Sequence, residues 1–208
     1  MTAYSLQGLY AITDSQLMPD DKTLLAGVEA ALEGGAAIVQ YRDKSDDHDR
    51  RLRQARLLRE LCDRFERPLL INDDLALAVA SQAQGVHLGQ SDGSVAAARR
   101  ELGPDAIIGV TCHDSLELAL RGRDEGADYV AFGAFFPSRT KPGARPAPLS
   151  LLPRAGAEVG LPMVAIGGVS VDNARQVTEA GASMIAVIHA LFGADDVRRQ
   201  AQLFSRQF

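Results

Sequence analysis

Apolar and polar residues alternate in blocks along the whole chain. Short runs rich in Val, Ile, Leu, Ala and aromatic residues are each followed by polar or glycine-rich residues and then by a stretch with helical spacing. Eight such strand-like runs begin near Gly8, Ala37, Pro68, Gly85, Ile107, Tyr129, Pro162 and Met184. Each repeating unit has about 26 residues, enough for a parallel strand, a crossover helix and two tight loops.

The stretches between these runs predict amphipathic helices. The predicted ranges are 23–33, 48–65, 74–80, 94–102, 115–125, 149–159, 172–180 and 195–205. Several end at a glycine that can adopt a left-handed C-cap conformation, as at Gly34, Gly126 and Gly181. Eightfold alternation of strand and helix predicts one closed (β/α)₈ TIM barrel over residues 1–208, with an open doubly wound sheet as the alternative.

Composition and charge narrow the function classes. Hydrophobic residues make up 46% of the 208 residues, so one domain has ample apolar material for its core. The net charge of -5 offers no field that would attract nucleic acid or an anionic membrane. No apolar segment approaches the roughly 20 residues of a membrane span, and Cys62 and Cys112 lack metal-type spacing. We expect a cytoplasmic protein with reduced thiols, and leave a homo-oligomer open.

Polar residues follow nearly every predicted strand. In a TIM barrel the catalytic groups are expected there, because the carboxyl ends of all eight strands meet at one face. The residues at these positions are Asp14, Gln40 to Lys44, Asn72, Asp73, Gln90, Asp92, Thr111, His113, Ser138 to Lys141, Gly167, Gly168 and His189. The sequence therefore predicts an active site at this face.

The second strand ends in Gln-Tyr-Arg-Asp-Lys. The period of two along a strand places Gln40, Arg42 and Lys44 on one face, and Tyr41 and Asp43 on the other. Two cations and an amide on one strand end suit a phosphate or diphosphate. The alternative is a solvated strand end in which Asp43 pairs with Arg42 or Lys44.

Carboxylates follow the third and fourth strands. Asp74 is expected to cap the next helix, which leaves Asp73 unexplained. Asp92 comes from the adjacent barrel position and could share one hard cation with Asp73. Mg²⁺ prefers such oxygen ligands, with water and substrate phosphate completing its shell. The alternative is that Asp92 caps the helix near Ser94.

Two further segments could hold anions. Residues 137–148 carry Arg139, Lys141 and Arg145, and form either a lid over an anion or a solvated surface loop. Gly167 and Gly168 follow the seventh strand, and Ile188 and His189 the eighth, where barrels often bind phosphate on backbone N–H groups. A glycine pair is equally typical of a tight turn.

Other catalytic classes find little support. His87 lies within a short strand, where we expect a hydrogen-bonded structural role. No set of Cys, His and carboxylate residues has zinc spacing. GxSxG, Walker and GxGxxG motifs are absent from the sequence, which argues against a hydrolase triad, a P-loop and a dinucleotide site.

Taken in order, these motifs resemble thiamine-phosphate synthase over essentially the full length of the chain. The matching segments are YAITD (10–14), QYRDK (40–44), NDD (72–74), HLGQSD (87–92), GVTCHD (109–114), FPSRTKPG (136–143) and AIGGVS (165–170). The family joins a hydroxymethylpyrimidine diphosphate to a hydroxyethylthiazole phosphate, giving thiamine monophosphate and diphosphate.

The resemblance implies a role for each matching residue. The pyrimidine diphosphate would be bound by Gln40, Arg42, Lys44, Asn72, Thr111 and Lys141, and Mg²⁺ by Asp73 and Asp92. Tyr41 and Asp43, in the same motif as Arg42, are also expected to contact substrate. Thr111 stands where the family commonly has serine. The thiazole phosphate would be bound by Ser138, Arg139, Thr140, Gly168, Ile188 and His189. The chain departs from the familiar Ile-Ser pattern at His189, so a side-chain hydroxyl contact is lost there.

The implied chemistry agrees with the residue inventory. The leaving diphosphate can be neutralised by Mg²⁺ and by the predicted catalytic residues Arg42, Lys44 and Lys141. The reaction requires no enzyme nucleophile or general base. Two rival functions on the same scaffold are a thiazole tautomerase-like isomerase and a non-catalytic phosphate-ligand-binding barrel. Retention of Asp73 and Asp92 argues against the isomerase, and complete sites for two substrates argue against the binding barrel.

Overall fold

The structure, a computed structural model, describes residues 4–137 and 146–208. Eight parallel strands follow one another around a closed barrel in chain order, and β1 pairs with both β2 and β8. The strands are β1 Gly8–Ile12, β2 Ala36–Tyr41, β3 Leu69–Asn72, β4 Gly85–Leu88, β5 Ile107–His113, β6 Tyr129–Phe132, β7 Met163–Ile166 and β8 Met184–Val187. The predicted closed barrel is confirmed, and the open-sheet alternative is wrong.

Helices follow the strands and cover the outside of the barrel. They are α1 Asp21–Glu33, α2 His48–Arg64, α3 Leu75–Ser81, α4 Val95–Leu102, α5 Leu116–Asp124, α6 Leu151–Glu158, α7 Ala174–Glu179, α8 His189–Phe192 and α9 Val197–Ser205. Each of the eight predicted helical ranges contains a helix. The short α8, which directly follows β8, was not predicted. None of the helices in the described residues is long and apolar enough to cross a membrane.

Helix starts are set by local side-chain capping. The side chains of Asp20, Asp47, Ser94 and Ser115 each accept a hydrogen bond from a backbone N–H of the first helical turn. Such a cap satisfies one of the four N–H groups that a helix start leaves without a partner. The caps place the start of each of these helices directly after the strand-end loop, and so define the face where the polar residues gather.

Two apolar layers form the core. Side chains that point into the barrel are Tyr10, Ile12, Ile38, Leu70, Ile107, Tyr129, Ala131, Val164, Met184 and Ala186. The alternate strand residues, such as Leu9, Val39 and Ile71, pack outwards against the helices. The interior is therefore filled with side chains, as is usual for this fold, and it holds two tyrosines whose hydroxyl groups need partners.

Glycine makes room for one of these tyrosines. A Cβ atom at Gly109 would lie 1.9 Å from Cζ of Tyr129. Gly109 pairs with His87 on one side and Tyr129 on the other in the barrel register. A residue without a side chain on β5 thus allows the Tyr129 ring to extend across the strand into the interior.

Candidate active site

The ends of β2, β3 and β4 bring four predicted site residues into one cluster. The Lys44 ammonium group forms an ion pair with the Asp73 carboxylate, and Asn72 Nδ2 donates to Asp73 Oδ2 at 2.7 Å. Asp92 lies beside them over Gly89: a Cβ atom at Gly89 would be 2.3 Å from Asp92 Oδ2 and 3.7 Å from Asp73 Oδ1. The two predicted metal-binding carboxylates are therefore neighbours, as the barrel topology requires.

The two carboxylates of this cluster differ in their electrostatics. Burial acts to raise the pKa of Asp73, but the hydrogen bond and positive charge of Lys44 outweigh it, and the pKa is lowered. Partial burial, and then the negative charge of Asp73, raise the pKa of Asp92. The backbone of Asp73 is in the left-handed region, with φ 60°, a conformation that tends to persist at functional sites. A cation between the carboxylates would relieve their repulsion.

Capping explains one neighbouring aspartate but not Asp92. Asp74 accepts from the N–H of Leu77 at 2.8 Å and caps α3, as predicted. The cap of α4 is Ser94, which accepts from the N–H of Ala97 at 3.1 Å. The alternative in which Asp92 caps this helix is therefore wrong.

The end of β2 divides its side chains between two faces. Gln40 Nε2 donates to the Tyr10 hydroxyl at 2.6 Å inside the barrel. The Arg42 backbone N–H donates to Thr13 Oγ1 at 2.9 Å, while its guanidinium group has no hydrogen-bond or ion-pair partner within residues 4–137 and 146–208. Among the described residues, the positive charge of Arg42 is therefore unpaired.

The other two residues of the motif lie on the opposite face. Tyr41 donates to Gln54 Oε1 at 2.8 Å, and Asp43 pairs with Arg50 of α2 at 2.9 Å. Burial opposes ionisation of Asp43, but the Ser45 N–H and Arg50 outweigh it and lower the pKa. The alternative in which Asp43 pairs with Arg42 or Lys44 is therefore wrong. The predicted substrate contacts of Tyr41 and Asp43 stay predictions, and both side chains already have protein partners.

A hydrogen-bonded chain links the predicted substrate contact Thr111 to the barrel interior. The hydroxyl oxygens of Tyr10 and Tyr129 lie 2.8 Å apart. His87 contacts the Tyr129 hydroxyl through Nδ1 and Thr111 Oγ1 through Nε2, both at 2.8 Å. Burial lowers the pKa of His87 to about 4, so the ring is neutral at neutral pH. The predicted hydrogen-bonded role of His87 agrees with these contacts.

Sequence reasoning overlooked both tyrosines. Their hydroxyl groups come from residues 119 positions apart, a separation that local patterns do not bridge. One signal was present: a tyrosine at an inward-facing position of a barrel strand must find a polar partner. Tyr10 and Tyr129 both occupy strand positions in the sequence, which made them candidates for an internal polar network.

Backbone N–H groups without a backbone acceptor in the described residues follow the seventh and eighth strands. Gly168 has φ 68°, and a Cβ atom there would lie 2.4 Å from the carbonyl oxygen of Pro137. In the described part of the chain, the N–H groups of Gly168 and His189 donate to no backbone acceptor. His189 Nε2 is 3.9 Å from Asp14 Oδ2, and its side chain is 40% exposed. This edge of the barrel offers donors to an anion.

Some predicted residues are not covered by the structure. Ser138, Arg139, Thr140 and Lys141 lie outside the described residues, as does most of the predicted 137–148 lid. Within the residues that are described, no group of three or more His, Cys, Asp or Glu side chains is arranged to hold a metal ion. A cation at Asp73 and Asp92 would therefore have two protein carboxylates and would need further oxygen ligands from water or substrate.

Comparisons with known proteins agree with the barrel fold. The model of the thiamine monophosphate synthase family matches residues 9–191. A solved thiamine phosphate pyrophosphorylase from Pyrococcus furiosus is 36% identical, with a TM-score of 0.86 over 97% of this chain and 95% of that one.

More distant structures share the fold alone. A thiamine phosphate pyrophosphorylase from Bacteroides thetaiotaomicron is 18% identical, with a TM-score of 0.70 over 96% of each chain. A 3-hexulose-6-phosphate synthase is also 18% identical, with a TM-score of 0.69 over 97% of this chain and 99% of that one. Since the family match spans residues 9–191 and the Pyrococcus protein is 36% identical over nearly the whole chain, this protein belongs to the thiamine monophosphate synthase family.

Proposed function

We propose that this protein is an active thiamine-phosphate synthase in thiamine biosynthesis. It transfers the hydroxymethylpyrimidine group from 4-amino-2-methyl-5-pyrimidinylmethyl diphosphate to 4-methyl-5-(2-phosphooxyethyl)thiazole, and releases diphosphate. The observation that carries the proposal is the cluster of Lys44, Asn72, Asp73 and Asp92, together with the Arg42 guanidinium group, which has no partner among the described residues. Family membership and the 36% identical Pyrococcus furiosus pyrophosphorylase support it.

The cations of β2 suit the leaving diphosphate. Bond cleavage concentrates negative charge on that group, and fixed positive charges aimed at it stabilise the transition state. Arg42 is free of protein partners among the described residues, and Lys44 has only the Asp73 carboxylate. Lys141 is proposed as a third cation from the resemblance. No residue has to act as nucleophile, because the aminopyrimidine can support a cation at its methylene carbon when the C–O bond to diphosphate breaks, and the thiazole nitrogen then attacks that carbon.

The paired carboxylates fit Mg²⁺. Asp73 and Asp92 would hold it, because both present carboxylate oxygens over Gly89 and because the raised pKa of Asp92 reflects burial and the unrelieved negative charge of its neighbour. When bound, Mg²⁺ supplies charge neutralisation for the diphosphate. Asn72 and Lys44 hold the Asp73 carboxylate in place for that role.

The second substrate is assigned to the edge formed by β7 and β8. The N–H groups of Gly168 and His189, which donate to no backbone acceptor within the described residues, suit the phosphate of the thiazole substrate. Asn173 Nδ2 donates to the Gly168 carbonyl at 3.1 Å, which holds this loop in position. Ser138, Arg139, Thr140 and Ile188 complete the proposed phosphate site from the resemblance. Both substrates then meet over the barrel mouth, where positioning alone contributes strongly to the rate.

One experiment tests the function directly. Purified protein is incubated with both substrates and Mg²⁺, and thiamine monophosphate and diphosphate are quantified separately. We expect equal amounts of the two products. Asp73→Asn should reduce turnover and shift its Mg²⁺ dependence, whereas Asp74→Asn, a matched change in the helix cap next to it, should leave turnover close to that of the parent.

The other outcomes identify the rival functions. Conversion of a thiazole phosphate in the absence of the pyrimidine substrate would favour the tautomerase-like isomerase. Binding of both ligands without any product would favour the non-catalytic barrel. An unchanged Mg²⁺ dependence in both Asp73→Asn and Asp92→Asn would remove these residues from the metal role.

A further inference from the structure

Five side chains form a continuous polar chain across the barrel interior. It runs from Gln40 on β2 through Tyr10 on β1 and Tyr129 on β6 to His87 on β4, and ends at Thr111 on β5. The four donor to acceptor distances are 2.6, 2.8, 2.8 and 2.8 Å. Buried polar groups in such a chain must all be satisfied, because each one left without a partner is costly.

This requirement sets the direction of every proton. The Gln40 amide nitrogen can only donate, so the Tyr10 oxygen accepts from it. Among the described residues, the Tyr129 oxygen is the remaining acceptor within reach of the Tyr10 proton. Tyr129 must then donate to His87 Nδ1, which places the single ring proton on Nε2. A doubly protonated ring would leave the Tyr129 proton without an acceptor.

Packing prevents the chain from rearranging. Tyr10 and Tyr129 meet edge to face with ring centroids 5.9 Å apart, and the His87 ring stacks on Tyr129 at 5.6 Å with an interplanar angle of 19°. Gly109 lies against the hydroxyl end of Tyr129, where a Cβ atom would come within 2.3 Å of the oxygen. Ring rotation is therefore hindered, and the hydroxyl groups keep their partners.

The chain ends at the mouth of the barrel. With the ring proton on Nε2, His87 donates to Thr111 Oγ1 at 2.8 Å, and within residues 4–137 and 146–208 the Thr111 hydroxyl has no other partner. The Thr111 carbonyl accepts from Gln90 Nε2 at 2.5 Å, which anchors this residue from the β4 loop. The proton of the Thr111 hydroxyl is thus left for a ligand.

We propose that His87 is a positioning residue that makes Thr111 a hydrogen-bond donor to the bound pyrimidine. By donating to the Thr111 oxygen, His87 leaves the hydroxyl proton directed at an acceptor nitrogen of the pyrimidine ring. The inference rests on the proposed function, in which Thr111 contacts that substrate. Tyr10 and Tyr129 act one step further back, because they hold the His87 ring in the form that donates from Nε2.

Two substitutions at His87 distinguish the nitrogen that matters. Glutamine reaches far enough to place its amide nitrogen near the Nε2 position, whereas the shorter asparagine matches the Nδ1 position. Affinity for the pyrimidine diphosphate is measured by calorimetry without the thiazole substrate. We expect His87→Gln to stay within about twofold of the parent and His87→Asn to weaken binding roughly fivefold, the loss of about one hydrogen bond.

A double-mutant cycle tests the route through Thr111. Thr111→Val removes the hydroxyl at nearly constant volume, so adding His87→Asn to it should not weaken binding further. Tyr129→Phe, which keeps the ring, should weaken the binding of the pyrimidine diphosphate while leaving the affinity for the thiazole phosphate unchanged. This variant decides the question if those at His87 do not fold.

The results separate the inference from the function. Equal affinities for His87→Gln and His87→Asn, additive losses in the cycle, or equal losses for both ligands in Tyr129→Phe would overturn the positioning role. A parent that binds the pyrimidine diphosphate with the expected variant pattern but forms no product would refute the proposed function alone. A parent that does not bind the pyrimidine diphosphate would overturn both.

Discussion

His87 should make the protein less stable in mild acid. Burial lowers the pKa of its imidazole to about 4 in the folded protein, whereas the ordinary value of 6.5 applies to the unfolded chain. The pKa is lower in the folded protein, so the neutral ring favours the folded state. This contribution to the free energy of unfolding is complete above about pH 6.5 and is lost as the pH falls towards 4. Between pH 7 and pH 5 the unfolded chain gains a proton here that the folded chain does not, which lowers the free energy of unfolding by about 2 kcal/mol.

Urea unfolding at pH 7, 6 and 5 measures this loss. His87→Gln carries no titratable group at this position, so its free energy of unfolding should fall by about 2 kcal/mol less than that of the parent over this range. His48, His113 and His189 are present in both proteins, and their contributions cancel. Asp43 and Asp73, whose pKa values are lowered, begin to matter only nearer to pH 4. Parallel pH profiles for the two proteins would refute a buried, neutral His87.

Three further substitutions have defined outcomes. Gly109→Ala should lower the free energy of unfolding by about 1–3 kcal/mol, measured by urea unfolding, because the added Cβ atom would overlap the Tyr129 ring. Unchanged stability would contradict the packing described for the barrel interior. Arg42→Ala should reduce kcat/KM for the pyrimidine diphosphate, with a loss of about 2 kcal/mol or more in transition-state stabilisation. An unchanged kcat/KM would show that Arg42 is only a surface charge. If the backbone N–H groups of residues 168 and 189 bind the phosphate, His189→Ala should leave most of the affinity for the thiazole phosphate intact. Affinity is measured at several pH values and corrected for the titration of the substrate itself. A large loss of affinity that is confined to low pH would show that the imidazole is a ligand.

Local patterns in the sequence determined the architecture. Strand and helix alternate with their characteristic periods, and eight repeats of that unit bury their apolar faces well in a closed barrel. Capping is equally local, so the cap at Asp74 followed from residues three positions apart. The polar strand ends followed in the same way, because all carboxyl ends of a parallel barrel meet at one face. Lys44, Asn72 and Asp73 could therefore be assigned to one site from the sequence alone.

Only the tertiary structure decided how those residues pair. Asp43 pairs with Arg50 of α2 rather than with its sequence neighbours, and Ser94, rather than Asp92, caps α4. The contact between Tyr10 and Tyr129 arises from barrel closure, which fixes the register of strands far apart in the chain. A hydrogen-bond partner is chosen by distance and direction in space, and periodicity predicts only which face a side chain occupies. The sequence alone thus determines the barrel and the face at which its polar residues gather, whereas the tertiary structure determines which hydrogen-bond and ion-pair partners those residues have.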